Sequence, residues 1–207
     1  MRPLSLLGVD FDPKLLVIAL LSTVVPMLDW YGHRLTPIKA YDRLIIYFVL
    51  PLAVILLLFR ERPDAYGLRL GQWRIGLAWT LAACLLMAAV LWFVAHTPAM
   101  QRYYSAKAPA GNLYLIYITA VDLFGWEFMW RGFALFGLAR LLGPGPAILI
   151  QAIPFAFMHL GKPELESFST FFGGVAFGLI AWHSQSFLYP FLIHWFVSSF
   201  TQLVARP

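Results

Sequence analysis

Two side chains of opposite charge stand where an apolar chain has least reason to keep them. Glu127 and Arg131 lie four residues apart in the stretch 125–132, GWEFMWRG, inside an otherwise apolar and aromatic segment. Four residues is close to one helical turn, so the two share a face and can pair. An ionisable group inside a membrane span costs about 2.5–3.5 kcal/mol on insertion scales, which makes each one a functional candidate. The plainer reading is a structural ion pair; the sharper one is a carboxylate held by an arginine for acid–base work. His159 closes the run Phe155-Ala-Phe-Met-His159, and His194 opens His194-Trp-Phe-Val-Ser198. A lone buried histidine is usually a satisfied core residue. Three apolar segments each carrying one proton-active group are better explained by convergence of Glu127, His159 and His194 on a hydrated pocket.

Two chemistries suit that trio. In one, the carboxylate takes a proton from water while the histidines orient the water and stabilise the developing oxyanion. In the other, Glu127, His159 and His194 form a two-histidine, one-carboxylate zinc set with water in the fourth position. The absence of H-E-x-x-H favours the first, with no cofactor. No Gly-x-Ser-Gly element is present for a serine protease, and Asp42 lacks a Gly-x-Gly-Asp partner for an aspartyl pair. Asp122, five residues before Glu127, falls off its face and reads as a helix-start or interface carboxylate.

The elements that must position these groups are set by composition. Of 207 residues, 61% are hydrophobic and only 12% charged, against roughly 25% charged in soluble domains. A soluble core of this size could not hide so much apolar surface, so lipid is the solvent for most of it. The expectation is an all-α, polytopic membrane helical bundle of about seven transmembrane helices. Its apolar runs are 15–28, 44–59, 76–96, 113–142, 147–160, 168–182 and 187–204. Pro51 is expected to kink the second run, and Gly173, Gly174 and Gly178 to let the sixth approach a neighbour closely. Residues 97–111 read as a polar loop, and 183–186 as a turn containing His183. The basic stretch 60–76 reads as an interfacial segment with Tyr66 and Trp73 as aromatic anchors. The chain divides into N-terminal helices with that segment, 1–112, and a core carrying the chemistry, 113–204.

The net charge of +5 is spread through short loops, which points to lipid headgroups as partners and away from nucleic acid. A single cysteine, Cys84, offers neither a disulfide framework nor a thiolate cluster. Paired broken helices, the usual sign of an inverted-repeat transporter, are missing, which leaves a small transporter or channel as the weakest reading.

The order Glu-x-x-x-Arg, Phe-x-x-x-His, His-x-x-x-small polar on successive apolar helices resembles the CPBP family, the CAAX-processing and bacteriocin-processing glutamic-type intramembrane proteases. The resemblance covers 113–204, and the upstream AYGLRLGQWRIGL is similar to that family's pre-core segment. It implies a water-mediated endopeptidase of the bacterial inner membrane that acts on a membrane-associated peptide or protein tail. Glu127 and Arg131 match the second glutamate and the arginine of Glu-Glu-x-x-x-Arg, Phe155 and His159 the second motif, and His194 the start of the third. On this basis Glu127 is the base, positioned by Arg131 and aided by His159. His194 and Ser198 face the oxyanion, and Trp126, Trp130 and Phe155 wall the site. Two residues depart from the pattern: Trp126 stands where the family has its first glutamate, and Ser198 where it has asparagine. Tryptophan cannot accept a proton from water. A divergent enzyme working through Glu127, and a non-catalytic scaffold or immunity-type relative, are the two readings these departures leave.

Overall fold

The computed structural model describes residues 3–105 and 111–206. The chain opens with a small antiparallel hairpin, β1 (Leu4–Leu6) and β2 (Val9–Phe11), with Leu6 opposite Val9. Leu7 and Gly8 both take positive φ, 52° and 81°, the backbone of a two-residue turn that matches strand twist. No strand is expected from the sequence here, because leucine is a poor turn signal. Asp12 then starts the first helix: its carboxylate accepts the backbone N–H groups of Lys14 and Leu15 at 2.8 and 2.9 Å, with Pro13 in the first turn.

Eight helices follow among the described residues. They are α1 (Pro13–Trp30), α2 (Lys39–Phe59), α3 (Trp73–Val94), α4 (Pro98–Ser105), α5 (112–142), α6 (Pro144–Phe157), α7 (Glu164–Ser184) and α8 (Leu188–Val204). Without the short α4 they are seven rods, one for each apolar run of the sequence. Four of them, α1, α2, α3 and α7, are long and apolar enough to cross a membrane. The protein is an integral membrane helical bundle.

Several local expectations are corrected. Residues 98–105 form α4 rather than loop, tied to α7 by the Tyr104 hydroxyl donating to Glu166 at 2.7 Å; residues 106–110 of that expected loop lie outside the described residues. Pro51, where a kink is expected, stands in a single α turn between two wide π turns, Ile45–Val49 and Val54–Phe59. Tyr66 is no interfacial anchor. It is fully buried in a short 3-10 turn, Pro63–Tyr66, stacked on Phe133 at 6.1 Å. His183 belongs to the last turn of α7, and His159 falls just beyond the end of α6.

The central rod is α5, whose residues 125–139 are all buried. Its wide turn, Phe128–Ala134, carries Arg131. Such turns occur mostly inside α-helices and frequently at functional positions. One continuous core joins Ile18 of α1 and Tyr47, Ile55 and Phe59 of α2 to Trp126, Phe133 and Leu135 of α5. Close approach is licensed by small residues. A Cβ on Gly174 would meet the Ala152 Cβ at 3.0 Å and Phe155 Cδ1 at 3.1 Å, and one on Gly178 the Gln151 amide at 2.8 Å. The Gln151 Nε2 donates to the Gly174 carbonyl at 2.9 Å across the same contact. Gly173 faces open space and plays no part in it.

Two ionic hubs fasten the first helices to α5. Arg43 donates to Asp29 of α1 at 2.9 Å and to both oxygens of Asp122 on α5 at 3.2 and 3.0 Å. Asp122 is thus an interhelical carboxylate in mid-rod. Glu61, just past α2, binds Lys14 of α1, Arg140 of α5 at 3.1 Å and the Tyr66 hydroxyl at 2.7 Å. Burial by itself would raise the Glu61 carboxyl. The hydrogen bonds from Lys14 and Tyr66 and the charge of Arg140 outweigh it and hold the group below the usual carboxylate range.

Candidate active site

The site grows from the middle of α5. Glu127 is fully buried, and a carboxylate there must be bonded to be tolerated. Its Oε1 accepts two bonds, from Arg131 Nη1 at 3.1 Å one turn along the same rod and from His194 Nδ1 of α8 at 2.6 Å. Arg131, equally buried, lies over the Phe155 ring at 3.9 Å and the Phe177 ring at 5.1 Å. Ring faces favour a cation, so α6 and α7 supply part of what water would otherwise give the guanidinium. α8 is held against α5 by the Trp195 indole, which donates to the Ile116 carbonyl at 2.9 Å.

His159 sits in the turn after α6, 7% exposed, with its Nδ1 on the Phe155 carbonyl at 2.9 Å. Ser167 of α7 donates to the His159 carbonyl at 2.8 Å and fixes that turn from the other side. Carbonyl and carboxylate oxygens only accept, so Nδ1 of each imidazole carries the hydrogen, and a ring in its neutral form keeps a lone pair on Nε2. The two imidazoles stand 6.3 Å apart between centroids, a separation that a bridging water would couple. Phe155 lies beneath them, 4.9 Å from the His159 ring and 5.7 Å from that of His194. Trp126 closes the side toward α2, its ring 6.4 Å from His159, 5.8 Å from Trp130 and 5.0 Å from Tyr47.

Glu127, Arg131 and His194 are therefore in direct contact, and His159 faces the His194 ring across the Phe155 floor. Ser198 stands apart. Its hydroxyl accepts the Gln202 amide at 3.2 Å, and among the described residues it has no hydrogen bond to Glu127 or to either imidazole. The sequence reading missed Phe177 and Arg43. Phe177 contacts the His194 ring at 5.6 Å, and Arg43 lies over the Trp126 ring at 5.0 Å. Arg43 could have been found as a cation at the edge of an apolar run; nothing in the sequence marks Phe177 among eighteen phenylalanines.

For a zinc ion, Glu127, His159 and His194 would have to gather at ligand spacing. Among the described residues no three His, Cys, Asp or Glu side chains come together as a metal set. The groups at hand are one carboxylate, two imidazoles and one guanidinium, a set able to move a proton and to bind developing negative charge.

No curated protein and no solved structure matches the chain. Residues 108–200 match the family model for type II CAAX prenyl endopeptidase, Rce1-like, a segment that holds Glu127, Arg131, His159, His194 and Ser198. That family is one of membrane-embedded hydrolases that cut peptide bonds. Through this stretch, somewhat under half of its length, the chain is similar to the Rce1-like type II CAAX prenyl endopeptidases.

Proposed function

We propose that this chain is an intramembrane endopeptidase of the bacterial inner membrane that cleaves a membrane-associated peptide or protein tail. In this reading water is activated by the Glu127–His194 pair, without a cofactor. The observation that carries it is the 2.6 Å bond between Glu127 Oε1 and His194 Nδ1, formed inside the bundle between α5 and α8. The carboxylate fixes the imidazole tautomer and balances the imidazolium that forms when Nε2 takes a proton from water. His159, with its own Nε2 lone pair, orients the water, and Arg131 holds Glu127 in place. This gives Glu127 an orienting share in the base and moves His194 from the oxyanion to the proton.

The test is cleavage of a membrane-anchored reporter by Glu127→Gln. Glutamine keeps an acceptor for both donors but loses the charge, so cleavage is expected to fall by about 10⁴-fold, as when a triad carboxylate is neutralised. Cleavage is read per folded protein, because Glu127→Gln also leaves the buried Arg131 without its counter-charge and lowers stability. A variant cleaving at the parent rate would remove the catalytic claim. The second reading is a non-catalytic scaffold, favoured by Trp126 in place of a glutamate and by a Ser198 turned to Gln202. Under it, Glu127→Ala and His159→Ala lower the unfolding temperature and no reporter is cut by the parent chain.

A further inference from the structure

We propose that the indole N–H of Trp126 is the donor that binds the scissile carbonyl oxygen and the oxyanion it becomes; this rests on the endopeptidase reading above. Trp126 precedes Glu127 on α5 and is only 3% exposed. Its Nε1 is enclosed and has no hydrogen-bond partner among the described residues. An indole nitrogen can only donate, and a buried donor left unmet costs about 1–3 kcal/mol. Phenylalanine would fill the same aromatic nest of Tyr47, Trp130 and Phe155 without that cost. The polar atom therefore calls for an acceptor that the described residues do not supply. Arg43 lies over the ring face at 5.0 Å, and a cation there draws electron density from the indole and strengthens its N–H as a donor.

Two neighbours also carry unmet donors. The Trp130 ring contacts Trp126 and borders the groove between α1 and α6. Arg131 Nε and Nη2 have no partner among the described residues, but its guanidinium is fixed by Glu127 and by two rings. Trp126 is the one of the three whose ring meets His159. Ser198, the donor expected from the sequence, is held by Gln202. Trp126 directly precedes Glu127 and is about equally enclosed, so the indole and the carboxylate belong to one buried site.

The step balances with the groups in place. Water oxygen bonds to the carbonyl carbon, its proton passes to His194 Nε2, and the C=O π pair moves to oxygen, where the Trp126 N–H meets it. When the C=O re-forms, the C–N bond breaks with its pair on nitrogen, which takes the proton back from His194. The products are a carboxylic acid and an amine.

The test compares the parent chain, Glu127→Gln and Trp126→Phe in detergent or vesicles, with a cleavable peptide reporter and a phosphinate analogue of the same peptide. Trp126→Phe is expected to lower kcat by about 10²–10³-fold, the loss typical of one oxyanion donor. KM should stay within about threefold, and the phosphinate should lose affinity by a factor similar to the loss in kcat. Should the Phe variant fail to fold, Trp126→benzothienylalanine keeps the bicyclic shape without the N–H and is expected to show the same loss. A parent that cleaves, a dead Glu127→Gln and a Trp126→Phe of unchanged kcat would overturn the inference alone. A parent that neither cleaves nor binds the phosphinate ends the endopeptidase reading, and this inference with it.

Discussion

Removing one member of the Glu127–Arg131 pair should cost the bundle far more than removing both. Both side chains are 0% exposed, and Arg131 is the nearest full charge to the carboxylate. In Arg131→Met, Glu127 keeps only His194, and an uncompensated charge is left in the core. Breaking a buried pair from one side typically costs 3–5 kcal/mol, whereas replacing both partners with uncharged groups of similar volume is often close to neutral. For a chain of this length 1 kcal/mol moves the unfolding temperature by about 2–4 °C, so Arg131→Met should unfold roughly 6–20 °C below the parent. Adding Glu127→Gln in the same chain should recover most of that loss, and the four proteins form a double-mutant cycle with a coupling energy of several kcal/mol. The assay is thermal unfolding in one detergent, followed by tryptophan fluorescence, with reporter cleavage measured in parallel. The double variant should be stable and inactive. Arg131→Met unfolding with the parent, or a double variant no more stable than the single, would refute the claim that these charges depend on each other.

Two further outcomes follow from the packing and the charges. Gly174→Leu drives a side chain into Ala152 and Phe155, so it should tilt the floor beneath the imidazoles and reduce cleavage at least tenfold, while Gly173→Leu, facing open space, leaves cleavage unchanged; reporter turnover per folded protein checks both. Glu61 has its carboxyl held down in the folded chain, so its contribution to stability is present above the unfolded value and fades as pH falls through the folded one. Unfolding temperature should drop as pH is lowered from about 5 toward 3, and Glu61→Gln should flatten that slope while lowering stability near neutrality.

The rods themselves were legible because lipid imposes a simple grammar of long apolar runs separated by Gly, Pro and charge. Glycine–proline runs such as Gly143-Pro144-Gly145-Pro146 mark a break between α5 and α6 that the structure repeats. α4 was not legible, since eight residues of low hydropathy do not stand out from loop. Nor was the burial of Tyr66, which depends on Phe133, 67 positions away, in another helix. At the site, residue types and helical spacing pointed to Glu127, Arg131, His159 and His194 as neighbours. Which oxygen meets which nitrogen is a property of how α5 and α8 are rotated, and that rotation is set by contacts such as Trp195 on Ile116. Ser198 shows the limit of spacing: it lies one turn from His194, yet Gln202 claims its hydroxyl.

Arg43 belongs to a helix upstream of the matched segment, yet its charge rests on the ring beside Glu127. Tyr47 and Phe48 from that same helix press on Trp126 and Phe128, and the Gly125 backbone nestles against the Arg43 carbonyl. The family segment thus borrows a wall. Cut free at residue 108, it would present a bare tryptophan to lipid, and its acid would lie beside an open flank; the ancestry of the motifs and the boundary of the working unit are different things in this molecule.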